Sequence, residues 1–239
     1  MKILVCISCV PDTTSKIALS DNKNFNLNGL TFIVGPYDDY ALSRAIELKD
    51  SHNAEVVVLH VGNQDSEPLI RKCLALGADR AVRIDIEPKD SIQVSDEIAN
   101  YLRDNHFNLI LMGKESIDYG NALVPALVAS NLDMQFFSPV QKLNISGESI
   151  EIELETLEGK ASLVCQLPVV LGCQEPIAEW KIPNMRGIMS ARTKEILVIP
   201  GSNYDSDKLV KLELNESKRK GIMIDSNNTE ELIDILFNL

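Results

Sequence analysis

"NLILMGKESIDYGNALVPALVASNLD", residues 108–133, runs from an apolar strand-length segment through a polar turn into an apolar helix, with Gly113 at the break. Its apolar run, 107–112, has counterparts in 2–7 "KILVCI" and 55–61 "EVVVLHV". Runs of this length without alternation suit strands buried on both faces of a parallel sheet. Helical periodicity fills the gaps between them. In 38–50 "DDYALSRAIELKD", Ala41, Leu42, Ala45, Ile46 and Leu48 line one side, and Asp38 and Asp39 stand where a helix N-terminus favours negative charge. In 66–77 "SEPLIRKCLALG", Ser66 can cap, Pro68 suits the first turn and Gly77 closes the end. A strand over 80–85 and a helix over 91–104 complete the alternation, which predicts an α/β, doubly wound, mostly parallel sheet.

After Leu132 the pattern changes to period-two alternation in 139–146, 149–156 and 161–167, separated by glycine turns, which predicts added antiparallel strands. The stretch 200–221 is polar with little packing pattern, and 229–239 "TEELIDILFNL" is amphipathic, with Thr229 as its cap. Two parts are expected: a domain over 1–200, and a C-terminal arm over 201–239 whose final helix shows Leu232, Ile233, Ile235, Leu236 and Leu239 to a partner subunit or to its own sheet.

Composition narrows the function. Thirty-five acidic against 23 basic residues give a net charge of −12, which argues against a nucleic acid or an anionic membrane as the main partner. No apolar run approaches the roughly 20 residues that span a bilayer, and "MKILVCISCVPD" makes a poor signal peptide, so a cytoplasmic protein without membrane insertion is expected. Cys6 and Cys9 form a C-x-x-C, but no second cysteine pair or nearby histidine completes a zinc site. His52, His60 and His106 are scattered, and no hydrolase grouping of serine, histidine and acid is visible. The break at Gly113 is a place where a nucleotide phosphate often sits, yet it lacks the glycine spacing of a P-loop or a dinucleotide fingerprint.

Five segments, in order and at matching spacing, resemble the β subunit of electron transfer flavoprotein: 2–12 "KILVCISCVPD", 35–49 "GPYDDYALSRAIELK", 73–80 "CLALGADR", 113–118 "GKESID" and 183–194 "PNMRGIMSARTK". The resemblance implies a Rossmann-like domain and an electron-carrier subunit without bond-making catalysis. The partners it implies are an α subunit that holds FAD, flavin-containing dehydrogenases that supply electrons, and a downstream quinone oxidoreductase or other acceptor. It also implies AMP, or in bifurcating members a second FAD, in this chain. A stand-alone adenine-nucleotide-binding protein is the reading from a different class.

A ligand of an open α/β sheet lies beyond the carboxyl ends of the strands. The positions expected there, which also match the family's nucleotide contacts, are Cys6, Gly35, Pro36, Tyr37, Asp38, Val58 and the turn Gly113, Lys114, Asp118, Tyr119, Gly120, Asn121, Ala122 and Leu123. Many family members carry a polar Asn-Gln-Thr trio where Asn121, Ala122 and Leu123 stand, so backbone amides at the helix start are expected to meet the phosphate here. In 179–194 an apolar residue ringed by basic ones suits docking into a partner's pocket. By resemblance this is the dehydrogenase recognition loop, with Met185 as the anchor, Ile182 as the second choice, and Arg186, Ile188, Arg192 and Lys194 around them. The alternatives are plain helix-start and strand-end turns at Gly35 and Gly113, and a core-packed Met185.

Overall fold

The computed structural model describes residues 1–22, 24–202, 211–214 and 221–237. They fall into two compact units, Met1–Lys16 with Asn28–Asp207, and Ile17–Leu27 with Lys208–Leu239.

The first unit begins with β1 (Lys2–Ile7), the short β2 (Cys9–Pro11) and β3 (Phe32–Val34), and α1 (Pro36–His52). It continues through β4 (Glu55–Val61), α2 (Glu67–Leu76), β5 (Arg80–Asp85), α3 (Ser91–Asp104), β6 (Leu109–Gly113) and α4 (Leu123–Asn131). Then come β7 (Gln135–Ser146), β8 (Ser149–Thr156), β9 (Gly159–Gln166), β10 (Val169–Cys173), α5 (Met185–Ala191) and β11 (Ile196–Pro200). Among the described residues nine strands form one sheet in the order β11-β5-β4-β1-β6-β10-β7-β8-β9. It is parallel from β11 to β7 and antiparallel only at β7-β8 and β8-β9. This is the doubly wound, Rossmann-like α/β architecture expected from the alternation of apolar runs and helices.

Strand periodicity divides the core. Ile3, Val5 and Val58 pack with Ala41, Leu42 and Ala45 of α1 and Ile70 and Leu74 of α2. Leu4, Cys6, Val57 and Leu59 pack with Ile98 and Leu102 of α3 and Val128 of α4 on the other face. Burial of both faces is what allows β1, β4 and β6 to be continuously apolar.

One strand departs from expectation. β7 starts at Gln135, and before it pairs antiparallel with β8 its first half pairs parallel with β10. The apolar run 169–173 returns to lie between β6 and β7, so Gln135 to Val140 extend the parallel sheet. The alternation of 139–146 reported the antiparallel half alone.

The second unit joins the tail to an earlier segment: the Leu212 amide donates to the carbonyl of Asn22 at 2.7 Å, and Leu19 bridges Phe25. Segment 17–27 therefore groups with the C-terminal residues instead of with the sheet. Its helix α6 (Thr229–Phe237) shows Leu232, Ile233, Leu236 and Phe237 exposed within the chain. Leu239 lies outside the described residues. Among the described residues no helix is long and apolar enough to cross a membrane.

Candidate functional site

The strand order reverses at β1: α1 carries the chain to β4 on one side, whereas β6 lies on the other. Connections leaving the carboxyl ends of these two strands diverge, and the divergence opens a crevice. Asp38, in the first turn of α1, ties its two lips together. Its Oδ2 accepts the Ser8 amide at 2.8 Å and the Ser8 hydroxyl at 2.5 Å, and its Oδ1 accepts the Gly113 amide at 2.7 Å. Burial pushes the carboxyl up to about 6, against three donors that favour its charged form. The clamp leaves no room for side chains beside it. A Cβ at Gly35 would stand 2.4 Å from both Asp38 Oδ2 and Ser8 Oγ, and one at Gly113 would stand 2.6 Å from Asp38 Oδ1 and 2.7 Å from Tyr37 Cβ.

The crevice is open to solvent and spans about 640 Å³ when its mouth is counted. Cys6, Leu59 and Met112 form its floor, Val94 and Ile98 of α3 and Val124 and Pro125 of α4 its apolar walls, and Glu115, Asp118 and Tyr119 its rim. His60 is buried in it with Nδ1 2.9 Å from the Ile7 carbonyl. A carbonyl only accepts, so Nδ1 carries the proton, and burial, followed by the charge of Arg83, holds this imidazole below its ordinary range.

Of the positions expected at the site, Cys6, Asp38, Gly113, Asp118 and Tyr119 line the crevice. Gly35 and Pro36 lead into α1 beside the clamp, and Lys114 lies over the Tyr37 ring at 4.7 Å. Gly120, Asn121, Ala122 and Leu123 form the entry to α4, with Ala122 in the left-handed region at φ 53. Val58 is not at the site: it is fully buried on the α1 and α2 face, and its neighbours Leu59 and Val61 face the crevice instead.

Five of the eleven amides from Gly113 to Leu123 are engaged within the chain. Gly113 donates to Asp38, Lys114 to the Cys173 carbonyl at 2.9 Å, Tyr119 to Asp118 at 2.8 Å, Gly120 to the Ser116 carbonyl at 2.8 Å and Leu123 to Asn121 Oδ1 at 3.2 Å. Pro125 has no N–H, so Val124 is the one first-turn donor of α4 left without an acceptor among the described residues. Asn121 spends its amide group on Ser91 Oγ at 2.8 Å, tying the starts of α3 and α4 together.

A second surface is built where α5 packs on α2. Asn184 caps α5 by accepting the Gly187 amide at 2.8 Å, and a Cβ at Gly187 would stand 2.1 Å from the Ala75 carbonyl oxygen. Ile182 and Met185 are each 73% exposed and Met189 67%, so Met185 is outside the core. Trp180 holds the start of the segment: its indole N–H donates to Asp39 Oδ2 at 3.2 Å, and Lys72 approaches the same carboxylate at 3.7 Å.

A family model, the electron transfer flavoprotein domain, matches residues 25–202. The chain is 31% identical to the electron transfer flavoprotein subunit beta of Bacillus subtilis over 212 residues, covering 87% of this chain and 82% of that one. It is 30% identical to the protein of the same name from Syntrophomonas wolfei over 228 residues, covering 94% and 90%. The Thermoanaerobacterium thermosaccharolyticum protein of that name is 26% identical over 239 residues, covering 98% and 92%.

The chain belongs to the electron transfer flavoprotein β-subunit family. Within that family frame the two surfaces separate cleanly. Five of the fourteen positions expected at a nucleotide, Cys6, Asp38, Gly113, Asp118 and Tyr119, line the crevice at the β1-β6 switch, and the segment 182–192 is an exposed apolar surface with Arg186 and Arg192 exposed beside it. Lys194 does not join that surface. Its Nζ donates to the carbonyls of Leu74 at 3.0 Å and Ala78 at 2.6 Å, satisfying acceptors that the end of α2 leaves open. Lys181 pairs with Glu47 at 3.5 Å.

Several working residues escaped the sequence reading. Ser8 follows an apolar strand and could have been flagged as a polar residue at a strand's carboxyl end. The pairing of Asp39 with Trp180 joins positions 141 apart and has no local signal. Asn184, which accepts the amide of Gly187 three residues later, is a helix-start residue inside a segment expected as a loop. Among the described residues no group of three or more His, Cys, Asp or Glu side chains is arranged to hold a metal ion.

Proposed function

We propose that this chain is the β subunit of a heterodimeric electron transfer flavoprotein. It pairs with an α subunit that holds the redox-active FAD, accepts electrons from flavin-containing dehydrogenases, and passes them to a quinone oxidoreductase or another acceptor. An adenine nucleotide, AMP, occupies the β1-β6 crevice in a structural role, and this chain makes and breaks no bonds of its own. The observation that carries the reading is the exposure of Ile182, Met185, Ile188 and Met189 on a segment whose ends are fixed by Trp180 and Lys194. Large apolar side chains held rigidly in solvent suit entry into a partner's pocket.

The crevice offers apolar surface to the base of AMP and backbone donors to its phosphate. The apolar walls accept a flat ring, and the turn keeps the N–H groups of Glu115, Ser116, Ile117, Asp118, Asn121, Ala122 and Val124 without an acceptor among the described residues. The test is composition. The chain is coexpressed with its α subunit, and the purified complex is acid-extracted. One flavin and one AMP per heterodimer are expected. Two flavins per heterodimer would place FAD in this chain as well, and a stable flavin-free protein that forms no complex with an α subunit would overturn the carrier reading.

A further inference from the structure

Trp180 is the only tryptophan of the chain, and it stands at the head of the docking segment with 54% of its surface exposed. Its one polar atom is already spent. The indole N–H donates to Oδ2 of Asp39 at 3.2 Å, and Asp39 is 7% exposed with its Oδ1 unpartnered among the described residues. Breaking that bond would leave a buried carboxylate short of a donor, so the bond holds the ring in place. Lys72 steadies it from a second direction, 3.7 Å from the same carboxylate and 5.9 Å from the ring centroid. What the side chain leaves to solvent is therefore apolar ring surface, fixed before any partner arrives.

The ring lies beside α5. A Cβ on Gly187 of α5 would meet the Ala75 carbonyl oxygen of α2, and Lys72 is three positions earlier on that helix. Three positions rise about 4.5 Å and stay on one face. Trp180 and α5 thus occupy neighbouring turns of α2, which sets a rigid ring next to Ile182, Met185 and Met189, whose exposed side chains can change rotamer. An aromatic ring fixed beforehand loses little freedom when it is covered, and tryptophan is prominent among residues whose truncation weakens an interface. Charge defines the complement. On a chain with net charge −12, Lys72 and the exposed Arg186 and Arg192 stand around this patch, which matches an apolar area with an acidic rim.

We infer that Trp180 is a contact residue of the docking surface, a fixed aromatic plate that packs, alongside Met185, on an apolar area with an acidic rim on a flavin-containing dehydrogenase. This rests on the docking reading above and adds a second contact and its chemistry.

Steady-state reduction of the heterodimer by a flavin-containing dehydrogenase tests it, with the heterodimer as the varied substrate. Trp180→Ala is expected to raise KM by about tenfold and leave kcat near its wild-type value, whereas Trp180→Phe, which keeps a ring and loses the N–H, should stay within about threefold of wild type. A residue that only clamps the segment needs its N–H, so a Phe variant as damaged as the Ala variant would overturn the inference. An unchanged KM in Trp180→Ala beside slowed reduction of Met185→Ala would overturn it too, and the docking reading would then stand without the second contact. If neither variant alters reduction, the docking reading fails and takes the inference with it. Hydroxyl-radical footprinting of the wild-type heterodimer decides the matter even where Trp180→Ala does not assemble. Added dehydrogenase should slow oxidation of both Trp180 and Met185, and protection of Met185 alone would overturn the inference.

Discussion

At Asp38 burial and hydrogen bonding pull in opposite directions. Its carboxyl is 5% exposed and is pushed up from 3.8 to about 6 by burial, with a smaller push from the charge of Asp39, although it accepts from Ser8 and Gly113. Between those two values the folded chain holds more protons than the unfolded one, so stability falls as pH rises from about 4 to about 6 and then levels off. Replacing Asp38 by Asn removes that slope. In urea unfolding at pH 4 and pH 7, the stability difference between wild type and Asp38→Asn should shrink by on the order of 2 kcal/mol at the higher pH. A pH-independent difference would show an ordinary carboxylate. Gly113→Ala tests the same joint sterically. Its methyl would lie 3.0 Å or closer to Asp38 and Tyr37, backbone included, and a loss of about 1–3 kcal/mol in urea unfolding is expected. The legible part of this joint was its glycine at a strand end and its acid at a helix start. That the two are bonded to each other is a contact across 75 positions with no periodic trace.

Among the elements, α5 shows how a short helix is held where its own length cannot support it. Asn184 caps its start, Arg71 donates to the carbonyls of Ala191 at 2.9 Å and Lys194 at 2.6 Å near its end, and Gly187 lets it touch α2. Met185 is presented by this frame and takes little part in it. Met185→Ala should leave the melting temperature unchanged and slow reduction of the complex by a flavin dehydrogenase about tenfold or more, the scale of an interface anchor. An unchanged rate would remove the docking role. Lys194→Met should instead lower stability, by about 1–3 kcal/mol, since it leaves two carbonyls of the α2 end without their donor. Composition announced a basic and apolar segment at 179–194, but only packing separates its exposed side chains from the lysines that hold it in place.

At the scale of the molecule, the two units make different demands on the chain. The sheet unit buries its strands on both faces, while α6 keeps Leu232, Ile233 and Leu236 exposed within this chain. A chain ending at residue 207 should therefore keep the unfolding transition of the sheet unit and lose affinity for the α subunit in a pull-down. Full assembly of the truncated chain would show that the tail is not needed for pairing. The amino-acid sequence alone established the doubly wound class, because strands buried on both faces must be continuously apolar and helices covering them must carry a stripe. It also determined the family, through five short segments at fixed spacing. Tertiary pairings alone place β10 between β6 and β7, turn Val58 away from the crevice, and choose which amides of the turn after Gly113 are engaged and which stay open. Periodicity records which face of an element is buried; it does not record which distant group satisfies a given donor, and that choice is made by pairings far apart in the chain.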